Sequence, residues 1–264
     1  MGLALQVLTG FVTAPSTTFT TLTMASGDSM TVRNHPRGKG WMLNAWADHQ
    51  TSGNFRILSA QQHDNVQGIR LYSVASEVAP LMPMGHKVLL EPFDTIVASL
   101  TGSATGGDIE TGCLLFFYED AHGFDSRLFT WDQIKPRIID VMAVENTLSL
   151  GTAGGYSGEE AINSEFDQWK SNFDYALLGY TVSAECACVG WRAPDTSNLR
   201  VGGPGNELRK EMTAEWFKLL SQSYGIPAIP VFNANNKGGI LIDGAQDENG
   251  TDTTVTSIFA RLRM

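Results

Sequence analysis

Basic residues are scarce in this chain of 264 residues: 18 Lys and Arg stand against 28 Asp and Glu, a formal charge of −10. Such a balance leaves no positive stripe to neutralise phosphates, which argues against direct nucleic-acid binding. Cysteine is equally sparse, with only Cys113, Cys186 and Cys188. An odd count does not make a disulfide-stapled framework. Cys186 and Cys188 lie two apart, so in a strand they share one face and are badly placed to bridge each other. All three read as small apolar residues buried in a sheet. The five histidines (His35, His49, His63, His86, His122) form no HxH or HxxxH pair, and no CxxC occurs, so neither a metal nor another cofactor is expected.

Long hydrophobic runs are missing too. The apolar start, Met1 to Phe11, is too short to span a bilayer and has no Lys or Arg ahead of it, unlike a secretory signal. It is expected to be an arm or a first strand, which leaves peripheral contact with a membrane open.

No catalytic constellation stands out. Gly155-Tyr156-Ser157-Gly158-Glu159 departs from the Gly-x-Ser-x-Gly elbow because Glu159 occupies the last glycine position. The run from Gly151 to Gly158 also lacks the Gly-Lys-Ser/Thr of a phosphate loop. Ser157 and Glu159 are therefore expected in a surface loop, and no catalytic residue is assigned. Glu119-Asp120 and Glu159-Glu160 are adjacent in sequence and read as solvated turn residues, whereas a glycosidase needs carboxylates facing each other across a cleft. Asp247 to Asp252 resembles a piece of a calcium loop without its terminal Glu, and Asn249-Gly250 suits a tight hairpin turn better.

What the chain does have is apolar segments cut short by Gly, Thr and Ser. Hydrophobic residues make up 42%, and 27 glycines punctuate them, which favours short strands over a helical bundle. Strands are expected at Thr18–Met24, Ser29–Arg33, Trp41–Ala47, Asn54–Ala60, Gly68–Val74 and Lys87–Leu90, about eight per 120 residues once the closing hairpin is counted, the complement of a jelly roll. Two prolines keep Ala79–Gly85 out of any central strand. Three helices are expected. One opens with the Thr130-x-x-Gln133 capping box and continues through Ile134, Ile138, Ile139 and Met142. A second carries Phe166, Trp169 and Phe173 behind Asn163. The clearest, Glu207–Tyr224, is capped by Asn206, places Leu208, Met212, Trp216, Leu219 and Leu220 on one stripe, and ends at Gly225 and Pro227.

The chain also repeats itself. Thr95–Tyr118 and Gly239–Leu262 both read strand, small acidic turn, strand, with Ile96 facing Ile240, Asp108 facing Asp252 and Leu114 facing Ile258. Earlier pairs recur in the same order: Met42–Trp46 with Ala176–Tyr180, and Arg56–Leu71 with Cys188–Val201. The expected fold is all-β, two tandem eight-stranded jelly-roll β-sandwiches with a few short connecting helices, divided as residues 1–128 and 129–264.

In its duplicated segments, closing hairpins and helical excursions, the chain resembles the double jelly-roll major capsid proteins of tailless icosahedral viruses, particularly membrane-containing bacteriophages. The resemblance implies a virion protein made in the host cytoplasm, a homotrimer forming a pseudo-hexameric tile of an icosahedral capsid lattice. It also implies penton or minor capsid proteins as partners, with the arm Met1–Phe11 and the Glu207–Tyr224 helix as packing elements. An arm without basic residues does not suit electrostatic attachment to an internal membrane. Two other classes fit a β-sandwich: a carbohydrate-binding or carbohydrate-active protein using Trp41, Trp46, Trp169 or Trp191, though these lie in apolar runs, and a trimeric viral spike or adhesin.

Overall fold

The computed structural model describes residues 2–25, 34–59, 67–75, 77–92, 94–121, 123–151, 153–162, 169–245 and 252–263. The expected strand Ser29–Arg33, the start of the helix behind Asn163 and the turn at Asn249-Gly250 lie outside the described residues. From Trp169 to Phe173, where that helix would end, the backbone is turn and coil.

Among the described residues the first half has nine strands: β1 (Leu3–Thr13), β2 (Thr20–Thr21), β3 (Thr23–Met24), β4 (Asn34–Asp48), β5 (Gly53–Ser59), β6 (Ile69–Ser73), β7 (Val88–Leu90), β8 (Ile96–Leu100) and β9 (Ile109–Ala121). They form two sheets, β3-β1-β9-β4-β7 and β2-β8-β5-β6. β2 and β3 are one strand that changes sheets at Leu22. Counted so, eight strands lie in the order 1-8-3-6 over 2-7-4-5, the winding of a jelly roll.

The second half repeats the winding. Its strands are β10 (Leu128–Phe129), β11 (Ile138–Ser149), β12 (Glu160–Ala161), β13 (Asp174–Val182), β14 (Cys186–Arg192), β15 (Val201–Gly205), β16 (Ile229–Asn233), β17 (Leu241–Ala245) and β18 (Asp252–Leu262). β10-β16-β13-β18-β11 faces β12-β17-β14-β15, again 1-8-3-6 over 2-7-4-5 with β10 added at an edge. The fold is two tandem jelly rolls. Both third strands carry a bulge against their neighbour at the same step, between Met42 and Asn44 in β4 and between Leu177 and Gly179 in β13.

That common bulge corrects the register of the repeat. Leu114 points into the first core, with Phe116 and Tyr118. Ile258 lies on the opposite side of its strand from buried Val255, Ser257 and Phe259. Side chains alternate with period two, so the ungapped match that holds for β8 and β17 is one residue out for β9 and β18.

The helices are shorter than expected. The capping box forms: Thr130 N–H donates to Gln133 Oε1 at 2.9 Å, and Gln133 N–H donates to Thr130 Oγ1 at 3.3 Å. However, α1 covers only Trp131–Ile134, and after one 3-10 turn at Lys135–Arg137 the chain enters β11. Met142, Val144 and Leu148 are buried at strand spacing and β11 pairs with β18 along its length, so sheet pairing overrides the helical spacing. The third helix breaks in two, α2 (Lys210–Thr213) and α3 (Trp216–Tyr224), with Asn206 Oδ1 accepting from the Leu208 and Arg209 amides. Leu208, expected on the buried stripe, is 76% exposed. Gly225 ends α3 in the left-handed conformation with φ of 63°, as expected.

β1 decides how the halves meet. Ala4 and Leu8 face the first core, with Met42, Ala45, Phe55 and Ile57. Leu5 and Val7 face the other way and join Leu43, Trp46, Cys113, Leu115 and Phe117 in a core continuous with that of the second half. The N-terminal segment is therefore an interior strand buried on both faces, rather than a projecting arm.

Candidate functional site

The most elaborate chemistry lies where the outer face of β1-β9-β4 meets the second half. Trp46 Nε1–H donates to the Ala187 carbonyl at 2.7 Å, and its ring meets Trp216 of α3 edge to face at 6.0 Å. The Tyr224 hydroxyl donates to the Leu43 carbonyl at 2.7 Å. Val7 N–H donates to the Arg200 carbonyl at 2.9 Å, which closes part of the β1 edge. The Asn206 amide donates to the Val78 carbonyl at 2.7 Å, while Val78 N–H donates to Glu185 at 2.6 Å. The halves thus share apolar contact and satisfied polar groups, as a permanent interface does.

All three cysteines converge here, which their sequence positions do not reveal. The Cys113 thiol contacts Cys188, and burial pushes the Cys113 and Cys186 thiols well above their usual range. Thiols so placed are protonated and poor nucleophiles, consistent with the expected packing role.

Behind the interface lies a buried ion cluster. Arg200 donates to both Asp243 oxygens, at 2.9 and 2.8 Å, with both side chains nearly inaccessible. The Tyr156 ring lies 3.3 Å from the Arg200 guanidinium carbon. A side chain at Gly190 would collide with Cγ and Cδ of Arg200, so this glycine opens the space for the aliphatic stem that carries the guanidinium to Asp243. Arg192 reaches Asp243 at 3.5 Å and also pairs with Glu159. Glu159, expected as a solvated loop residue, therefore helps balance this cluster. Ser157 clamps its loop onto β17: its N–H donates to the Gly244 carbonyl at 2.7 Å, and its Oγ accepts from Gly244 N–H at 3.0 Å. The geometry ties a loop down.

A second polar cluster joins two loops at one end of the first jelly roll. Glu110 accepts from the Ser103 amide at 2.6 Å and the Gln50 amide at 2.9 Å, yet burial outweighs these bonds and raises its pKa. Burial lowers His49 to about 4, against the opposing effect of its 3.0 Å bond with the Thr101 carbonyl. Its neutral imidazole serves as a loop tie. Among the described residues no three His, Cys, Asp or Glu are grouped to hold a metal ion, and no helix is long and apolar enough to cross a membrane.

The aromatic residues considered for sugar stacking are mostly inside. Trp46 and Trp191 are fully buried and Trp169 nearly so, while Trp41 stacks on Phe117 at 5.7 Å with Lys87 Nζ 5.0 Å from its ring. Trp131, not singled out from sequence, lines a shallow cavity of about 180 Å³ with Asp132 and Gln222.

Two surfaces are conspicuous for what they leave open. β11, the counterpart of β1, is an edge strand that exposes Ile139 and Val141. On the outer face of β5-β6, the Arg56 and Arg70 guanidinium carbons lie 4.2 and 5.3 Å from the Phe19 ring, beside exposed Tyr72.

No protein-family profile matches the chain, and no curated protein is similar to it. Among solved structures it is distantly similar to the PBSX exported protein XepA, with 10% identity, 97% of this chain and 86% of that one covered, and a TM-score of 0.28. It is also distantly similar to a structure described as the triple jelly roll fold and turret assembly in an archaeal virus, with 9% identity, coverage of 99% and 80%, and a TM-score of 0.24. At such scores the fold assignment rests on the strand order itself.

Proposed function

We propose that this chain is a viral structural protein, a major capsid protein whose copies associate as homotrimeric pseudo-hexameric tiles of an icosahedral shell. The observation that carries this reading is two jelly rolls of the same winding joined by unlike faces, the β1-β9-β4 face of one against β14 and β15 of the other. A head-to-tail contact between similar units continues around a ring when each step turns by the right angle, and six units from three chains give a closed tile. Residues 1–128 and 129–264 act as the two similar units, and penton or minor capsid proteins are the other expected partners. Mass determination in solution with electron microscopy of the assembled protein tests the reading: trimers and closed shells are expected, and a monomer at high concentration overturns it.

The carbohydrate-binding alternative has one observation in its favour, the Trp131 cavity, where an indole lies beside a carboxylate and a carboxamide. Titration with oligosaccharides tests it, a shift of the Trp fluorescence being the expected response.

A further inference from the structure

β1 and β11 are counterparts in the two jelly rolls, and their surroundings differ in one respect. β1 is buried on both faces because the second half covers its outer side. Its edge is closed in pieces by β3, by the Arg200 carbonyl on Val7 and by Ser126 on Leu3. β11 is buried on one face, and among the described residues its 12 residues pair only with β18. Its outer side runs from apolar to polar: Ile139, Val141 and Ala143, then Glu145. A long open edge with exposed β-branched residues is a template for pairing with another chain.

The opposite end of the pattern is open as well. Inside the chain, the outer side of β14-β15 receives β1. Its counterpart in the first jelly roll is the outer side of β5-β6, where Arg56 pairs in register with Arg70, and Asn54 with Tyr72. Among the described residues neither arginine has a carboxylate within ion-pair distance, in a chain of net charge −10. Glu145 on the β11 face likewise has no cationic partner there, and the bond from Asn146 Nδ2 to the Ala161 carbonyl, 3.0 Å, brings the segment bearing Glu160 alongside β11.

We infer that the β11 face of one copy docks on the β5-β6 face of the next, repeating between chains the contact that β1 makes within one. The occupant of each face is a second copy of this chain, with the aliphatic stretch at Ile139 and Val141 supplying contact area and Glu145 meeting the arginine pair. This deepens the capsid reading and rests on it.

Two surface variants test the inference by sedimentation of the full chain. Val141→Asp spoils only the β11 face, and Arg70→Glu spoils only the β5-β6 face. Wild-type protein is expected to sediment as a trimer and each variant alone as a monomer with an unchanged melting temperature. An equimolar mixture is expected to give dimers, because one sound face remains on each variant and a single contact forms. Should Val141→Asp lower the melting temperature, Glu145→Arg takes its place. Trimers formed by both variants overturn the inference and leave the capsid reading standing. A mixture that stays monomeric overturns head-to-tail docking, and a wild-type monomer at all concentrations overturns both readings.

Discussion

The indole N–H of Trp46 donates to the main-chain carbonyl of Ala187, joining two residues 141 positions apart and tying one jelly roll to the other. Both partners are buried, so the carbonyl has no water to turn to if the donor is lost. Trp46→Phe is expected to destabilise the chain by about 1–3 kcal/mol, because it leaves the carbonyl with the weak Cys113 S–H donor at 3.7 Å. Trp46→Ala adds the cavity beside Trp216 and should cost about 3–5 kcal/mol. Urea denaturation monitored by circular dichroism checks both, and equal midpoints for the two variants would show that the hydrogen bond and the packing are not the determinants named here.

The Arg200–Asp243 pair leads to a second expectation. Removing Arg200 leaves the buried Asp243 with the longer 3.5 Å contact to Arg192 in place of a two-point bond, so Arg200→Met alone should cost about 3 kcal/mol. Replacing both, Arg200→Met with Asp243→Leu, should recover much of that loss, because the desolvation of two ions is removed together. A double-mutant cycle measured by thermal melting separates these outcomes, and additive losses would rule out a coupled pair.

Acid should weaken the first jelly roll through His49. Its folded pKa is about 4 against an ordinary value of 6.5, so between these limits the unfolded chain binds the proton and the folded chain does not. Stability from this group is therefore present above pH 6.5 and lost as pH falls toward 4, by at most about 3 kcal/mol. Glu110, whose pKa is raised by burial, acts in the opposite sense and offsets part of the loss. The denaturant midpoint of wild type should fall between pH 7 and pH 4.5 by more than that of His49→Gln. Parallel pH profiles would remove His49 as the cause.

Much of this architecture is written in short-range pattern. Phe55 and Ile57 alternate with Asn54 and Arg56 and form a strand buried on one side, and Gly225 before Pro227 stops a helix where the backbone turns left-handed. The recurrence of hairpins identifies a duplicated fold because each copy must solve the same packing problem. The pattern misleads where two periodicities coincide: Ile134, Ile138, Ile139 and Met142 fit a helix, yet Met142, Val144 and Leu148 fit a strand, and only the partner β18 decides. The interface between the jelly rolls is invisible for another reason. Trp46, Leu115 and Cys113 are apolar whether they fill a sandwich or join two, so composition cannot separate a core from a contact. The Arg200–Asp243 pair is equally hidden, since what permits it is the missing side chain at Gly190.

The split helix gives a last expectation, one that sets two residues of the predicted stripe against each other. Trp216 is fully buried, its Nε1–H donates to the Gly202 carbonyl at 3.0 Å, and its ring meets Trp46. Leu208, eight positions earlier, precedes α2 and is largely exposed. A continuous helix would bury both, and truncating either would be costly. With the break at Ala214 and Glu215, Trp216→Ala should cost about 3–5 kcal/mol, enough to remove much of a domain's net stability and with it the assembly. Leu208→Ala should change stability by no more than about 0.5 kcal/mol. Thermal melting of the two variants distinguishes the cases, and comparable losses at both positions would mean that in solution the stripe is a single buried helix.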